Sequence, residues 1–378
     1  MAISPRDPDQ QTFPLSDEQR LAWLRLIRSE NVGPATFKNL IGHFGSAQRA
    51  IEAAPNLSRR GGRAIRIASR PDAERELEAA TRAGIRFVGM GEPDYPPWLR
   101  HADAPPPLLS VRGSVAGLTR PAVAIVGARN ASVAGRKMAF MLARDLGEAG
   151  LLVVSGLARG IDSSAHEASI RTGTVAVFAG GADVLYPPEN AGLLAAILEH
   201  DGAAISEMPI GWEPRARDFP RRNRIIAGMT LATVVVEAAE RSGSLITARL
   251  ALEQNREVMA VPGSPIDPRA GGSNGLLKQG ARLVTEARDV TEALAPLLGR
   301  FSEPASATGE FSAPDIQDFE PADTDRDRLY EALGPTPVGL DDIIRFTGLA
   351  PRTVQVLLLE LDLAGRVERH PGSLISLR

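Results

Sequence analysis

The stretch Val153-Val154-Ser155-Gly156-Leu157-Ala158-Arg159-Gly160-Ile161-Asp162 reads as an apolar strand end, a turn of small residues with one arginine, and a helix start. Its glycines permit positive φ, and successive N–H groups would then converge on an anion at the helix N-terminus. Two other stretches have the same form, Val126-Gly127-Ala128-Arg129-Asn130-Ala131-Ser132 and Glu237-Ala238-Ala239-Glu240-Arg241-Ser242-Gly243-Ser244-Leu245. In an open parallel sheet such turns lie side by side at the carboxyl edge, so the loops are expected to share one ligand.

Around these turns the chain alternates regularly. Strands are expected at 122–126, 151–154, 174–178, 203–206, 231–236 and 257–261, with helices at 133–149, 161–172, 189–200, 220–228 and 245–255 between them. A βαβα series of continuous apolar strands predicts a parallel sheet covered by helices on both faces. Ile85–Val88 and Leu108–Val111 read as additional strands, and a short helix-strand-helix unit at 274–298 closes the domain.

On either side lie smaller pieces. Residues 1–14 read as a loose tail and 15–80 as a helical domain, in which Asn31–Ser46, a glycine-bearing turn between two short helices, is similar to a helix-hairpin-helix unit that holds DNA backbone, or is simply part of a small helical bundle. Arg59, Arg60, Arg63, Arg66 and Arg70 follow with no intervening acid, a pattern that suits a phosphate-facing surface or a solvated helix face. The main domain is placed at 81–298 and a flexible linker, rich in Ala, Ser, Pro and acids, at 299–325. Three helices at 326–333, 340–347 and 351–363 and a hairpin around Pro371-Gly372 outline a winged helix at 326–378. That last piece carries seven arginines against seven acids, and its recognition helix, Val354–Leu361, is mostly apolar, so a protein contact or weak duplex binding is expected rather than base reading.

The strongest local charge is Arg215-Ala216-Arg217-Asp218-Phe219-Pro220-Arg221-Arg222-Asn223-Arg224, with five arginines against one aspartate in a chain of net charge −3. Pro220 suits a first helical turn, which places Arg221, Arg222 and Arg224 where the helix dipole attracts anions. Guanidinium forks suit phosphate oxygens, although any of these arginines could instead pair with Glu207 or Glu237. Ser242-Gly243-Ser244 offers amides and hydroxyls at another helix start, or an ordinary serine cap.

The same reading narrows the chemistry. Neither a dinucleotide G-x-G-x-x-G nor a P-loop is present. Asp162 and His166 lie four apart, but no nucleophile elbow accompanies them, and an aspartate bonding loop amides is the ordinary explanation. The chain has no cysteine and only five scattered histidines, so no disulfide and no metal site is expected. No cofactor and no catalytic residue is assigned. Without a signal peptide or an apolar run long enough to span a bilayer, a soluble cytoplasmic protein is expected. Aromatic residues make up 4% of the chain, which predicts that phosphate contacts dominate over stacking.

Taken in order, Val123–Arg129, Ser155–Asp162 with His166, Tyr186-Pro187-Pro188-Glu189-Asn190, Ser206-Glu207, Phe219–Gly228, Glu237-Ala238, Ser242–Ala248 and Val261-Pro262-Gly263 resemble the DNA-processing protein DprA (Smf) family. The resemblance covers about 85–285. It implies a Rossmann-like α/β domain between an N-terminal helical domain (SAM or helix-hairpin-helix-like) and a C-terminal winged helix. It also implies a homodimer that binds single-stranded DNA and loads the recombinase RecA during natural transformation, with no established catalytic reaction. Carried over by motif, the expected DNA contacts are Arg129, Ser155, Gly156, Arg159, Arg221, Arg222, Asn223, Arg224, Ser242, Gly243 and Ser244, with the turn glycines Gly127 and Gly160 beside them. Ala128 stands where the family more often has serine. The rival readings are a nucleoside-monophosphate glycosidase, for which the Ser242–Ala248 segment lacks the needed glutamate, and a transcriptional regulator acting through 326–378.

Overall fold

The computed structural model describes residues 14–102, 104–298, 321–370 and 372–378. The expected tail up to residue 13, the linker as far as 320, and Pro371 at the hairpin tip lie outside the described residues. The rest divides into two compact units, one spanning 78–298 and one combining 15–77 with 321–378.

The chain opens with α1 (Asp17–Ile27), α2 (Pro34–Phe44), α3 (Ala47–Arg60) and α4 (Arg70–Arg82). A capping box starts α1: the Gln19 amide N–H donates to Ser16 Oγ, and the Ser16 amide donates to the Gln19 side chain at 2.9 Å. There follow β1 (Ile85–Gly89), α5 (Pro97–Arg100), β2 (Leu108–Gly113), β3 (Ala122–Val126), α6 (Val133–Glu148), β4 (Leu152–Ser155), α7 (Ile161–Ser169), β5 (Thr174–Val177), α8 (Ala191–Glu199), β6 (Ala203–Ser206) and α9 (Asp218–Gly228). Next come β7 (Ala232–Val235), α10 (Gly243–Glu253), β8 (Glu257–Ala260), α11 (Gly271–Lys278), β9 (Arg282–Leu283) and α12 (Ala287–Leu298).

These strands form one sheet in the order β1-β2-β6-β5-β4-β3-β7-β8-β9. From β6 to β9 every neighbouring pair is parallel, as the alternation predicts. The early strands β1 and β2 join the same sheet but run antiparallel, to each other and to β6. The chain lays down β3 to β6 in one direction and β7 to β9 in the other, so its order reverses at β3, and ligands of open α/β sheets collect outside the carboxyl ends near such a point. All five residues of β3 are buried. Ala122, Ala124 and Val126 enter one core layer, and Val123 and Ile125 enter the opposite one, the period-two alternation of a strand covered on both faces. Among the described residues no helix is long and apolar enough to cross a membrane.

The second unit combines α1–α3 with α13 (Asp323–Ala332), α14 (Leu340–Thr347), α15 (Pro351–Leu363) and a three-stranded sheet, β10 (Val338–Gly339), β11 (Val367–His370) and β12 (Leu374–Leu377), in the order β10-β12-β11. Helix α15 serves two cores. Leu359 and Leu363 pack with Leu26, Phe37, Leu40 and Ile51, whereas Val354, Leu357, Leu358 and Leu361 pack with Leu329, Ile343, Val367 and Ile375. A helix that is apolar all round is a buried helix. The Asn31 side-chain amide donates to the Leu363 carbonyl at 2.9 Å, and buried Glu360 accepts from Arg326 at 3.0 Å. The mostly apolar recognition helix is therefore consumed inside its own unit. Of the N-terminal arginine run, Arg63 pairs with Glu30 and Arg70 with Glu18 and Glu74, each at 2.7 Å, so these two sit on a solvated, ion-paired face.

Candidate nucleic-acid interface

Helix α7 supplies the groups that shape the turn after β4. Asp162 carries a carboxylate that accepts the Gly156 amide at 3.1 Å and the Ala158 amide at 3.3 Å. The Leu157 amide between them donates to His166 Nε2 at 3.3 Å. On the other side of that ring, Nδ1 lies 2.7 Å from Thr174 Oγ1, whose hydroxyl is already donated to the Val153 carbonyl. Nδ1 must then be the donor and Nε2 the acceptor, which defines a neutral imidazole. Burial, reinforced by the charge of Arg222, holds the His166 pKa down at about 3.

The amides of 156–158, expected to cradle an anion, are thus satisfied from within. The Asp162 carboxylate and the His166 ring, both on the helix that follows the turn, reach them before any ligand can. Ser155 is likewise engaged: it is fully buried and donates Oγ to the Ile125 carbonyl at 2.6 Å. The glycines act differently from one another. Gly160 takes φ 80° and, together with Leu157 at φ 53°, bends the turn. Gly156 provides clearance instead, because a Cβ there would lie 2.0 Å from Arg222 Nη1. Gly127 also provides clearance, since its Cβ would meet the Ile161 side chain at 2.6 Å.

Arg222, only 6% exposed, crosses from α9 to the ends of β4 and β5. Its Nη1 donates to the carbonyls of Gly156, at 2.7 Å, and Val177, and its Nε has no partner among the described residues. Burial brings its pKa down to about 10, the Arg129 charge pushing the same way and Asp162 opposing. It remains a cation at neutral pH. Burial raises the Asp162 pKa, with the Arg222 charge and the two amides working against that rise.

Above this buried layer lies a cleft of about 240 Å³. Its walls are Arg129, Gly156, Ala158 and Arg159 from the turns after β3 and β4, Tyr186, Pro187, Pro188 and Glu189 from the segment after β5, and Phe219 and Arg222 from α9. The rings of Tyr186 and Phe219 meet edge to face, centroids 5.6 Å apart. Arg129 sits over Phe219 at 5.2 Å and Arg222 at 6.0 Å. Arg159 faces Glu189 at 3.5 Å, both largely exposed, a contact that a phosphate can displace easily.

Four of the expected site residues, Arg129, Gly156, Arg159 and Arg222, therefore line one cleft. The others are placed differently. Arg221 donates to Glu207 at 2.9 Å, and Arg224 pairs with Glu207 and with the Ala104 carbonyl; Glu207 is nearly buried and holds both guanidinium groups on its own carboxylate. Asn223 donates weakly to the Gly243 carbonyl at 3.4 Å. Ser242 accepts the Ser244 amide at 3.3 Å and shares a hydroxyl contact with Ser244 at 2.7 Å, an ordinary cap for α10. Ser242, Gly243 and Ser244 do not line the cleft. The loop after β7 instead braces the loop after β3: the Glu237 carbonyl accepts the Ala128 amide at 2.6 Å, and its carboxylate accepts the Ser132 amide at 2.8 Å. Tyr186 and Phe219 join the cleft in addition to the residues that the sequence motifs single out. The signal lay in their positions, beside Pro-Pro-Glu-Asn and just before Pro-Arg-Arg, and a chain-wide aromatic content of 4% obscured it.

Comparison with known proteins agrees along the chain. Residues 86–295 match the family model described as DNA recombination-mediator protein A. Residues 17–79 match a DprA-like N-terminal HHH domain and 313–373 a DprA winged helix domain. The chain is 39% identical over 286 residues to protein Smf of Escherichia coli, covering 75% of each. Among solved structures it is similar to DNA processing protein A (DprA) of Streptococcus pneumoniae, with TM-score 0.55 and 37% identity over 59% of this chain and 77% of that one. It is also similar to DNA processing protein A of Helicobacter pylori, described for its single-stranded DNA binding mode, with TM-score 0.51 and 25% identity over 56% of this chain and 96% of that one. The central fold, the flanking helical and winged-helix pieces and these matches together establish that the chain belongs to the DNA recombination-mediator protein A (DprA/Smf) family.

Proposed function

We propose that this chain binds single-stranded DNA at the cleft bounded by Arg129, Arg159, Arg222, Tyr186 and Phe219. One observation carries the reading: cations from three separate elements meet around an aromatic pair at the carboxyl edge of the sheet. Guanidinium groups take phosphate oxygens, and exposed rings take the faces of unpaired bases. Bases in a duplex are already stacked, so the aromatic component favours a single strand. In this reading Arg221, Asn223, Arg224 and the Ser242–Ser244 cap shape the rim, while Asp162 and His166 hold the turn that seats Arg222.

The likeness to recombination-mediator proteins supports the extension that the chain works in the cytoplasm as a homodimer. There it would deliver bound strand to RecA during uptake of transforming DNA, and it would break no bond itself. Fluorescence anisotropy with a mixed-sequence oligonucleotide tests the cleft: Phe219→Ala and Arg222→Ala should each weaken binding, and wild-type affinity in both would refute it. The extension predicts faster RecA assembly on strand precoated with single-strand-binding protein. Release of free base from nucleotides by the pure protein would favour the glycosidase reading instead.

A further inference from the structure

Helix α6 starts directly after the Arg129 turn, and its inner face is spent on the core through Ala139, Leu142, Ala143 and Leu146. Its outer face is unusual. Val133 is 77% exposed, Phe140 41% and Met141 40%, and Arg136 and Lys137 are exposed among them. Spacings of three and four residues put all five on one side of the helix. Neither Arg136 nor Lys137 has an ion-pair partner among the described residues. Sheet-covering helices ordinarily turn polar residues outward, so large apolar side chains alternating with unpaired cations mark a surface used for contact.

We propose that this face of α6 is an outer track for single-stranded nucleic acid, continuing the strand that leaves the cleft past Arg129. Phe140, flanked by Val133 and Met141, supplies a stacking platform, and Arg136 and Lys137 hold the phosphates. Val133 to Met141 spans about 12 Å along the axis at 1.5 Å per residue, enough for more than one nucleotide beyond the cleft. Charge complementarity and continuity with Arg129 favour a polyanion over an apolar protein partner. The inference rests on the proposed cleft function.

The test uses the full chain and two oligothymidylates, one of about 4 nucleotides and one of about 16, bracketing common site sizes of single-strand-binding folds. Phe140→Ala and Lys137→Glu should weaken binding of the long strand by about five- to tenfold and leave the short one unchanged, whereas Arg222→Ala weakens both. Long-strand affinity at the wild-type level in both α6 variants overturns the track and leaves the cleft standing. Failure of the wild type to bind either oligonucleotide defeats the cleft, and the track with it. A change of sedimentation in Phe140→Glu with unaltered long-strand affinity would make the face a contact between copies, which also overturns the track.

Discussion

Arg222 Nη1 donates to the Gly156 carbonyl at 2.7 Å, and a Cβ on Gly156 would collide with the same guanidinium. One residue's missing side chain thus fixes the position of a buried cation 66 residues away in sequence. The cleft floor depends on that fit, because Arg222 cannot both keep its carbonyl contacts and yield to a methyl group.

Gly156→Ala should therefore behave as an Arg222 variant. Overpacking of this kind destabilises by about 1–3 kcal/mol, and single-strand affinity should drop alongside. Thermal melts and anisotropy on the same protein check this; unchanged binding would show that Arg222 does not need its seat.

Arg221 and Arg224 should separate from Arg222 in their effects. Arg224→Ala leaves nearly buried Glu207 with a lost partner, so stability should fall by about 1–3 kcal/mol, with little change in affinity. Denaturant titration beside oligonucleotide binding distinguishes the two. A large affinity loss in folded Arg224→Ala would return this arginine to the cleft.

His166 predicts acid lability. Its folded pKa of about 3 lies below the ordinary value of about 6.5, so the unfolded chain binds more protons between these limits. Stability is fully present above about pH 6.5 and is lost as pH falls toward 3, by up to about 1.4 kcal/mol per pH unit. His166→Gln keeps an acceptor for the Leu157 amide without titrating. Its melting temperature should vary less with pH over that window; an identical pH profile would contradict the assignment.

Gly61 tests the shared helix of the second unit. It ends α3 at φ −70°, where any residue fits by conformation, yet a Cβ would stand 2.2 Å from the Glu360 carbonyl oxygen. The obstacle is backbone, so Gly61→Val should loosen α15 from α1–α3 and lower the stability of that unit. Hydrogen exchange at Leu359 and Leu363 should rise while single-strand affinity at the cleft stays constant.

Much of the fold was legible because strands buried on both faces read as uninterrupted apolar runs. Ala122–Val126 and Ala203–Ser206 fall where alternation places them. The antiparallel entry of β1 and β2 was not legible, since orientation within a sheet leaves no local mark on residues such as Ile85 or Leu108. At the site, the sequence identifies Arg129, Arg159 and Arg222 as candidates but cannot separate them from Arg221 and Arg224, whose fate is decided by Glu207 across the fold. The internal carboxylate was legible: a helix-start aspartate at 162 bonding the loop amides is the ordinary reading of this turn, and it competes with the anion seat that the same small residues suggest. Tyr186 and Phe219 lie 33 residues apart in sequence, and only the packing of α9 against the β5 loop makes them a pair.

The most direct measurement is a salt titration of single-stranded and duplex oligonucleotide binding by the wild type, Arg129→Ala and Arg159→Ala. With three cleft arginines on phosphates the single-strand slope should be about −2 in log K against log salt, each variant reducing it by about 0.7, and the duplex should bind more weakly throughout. Equal affinity for duplex, or a slope that neither substitution alters, would contradict a single-strand cleft built on these guanidinium groups.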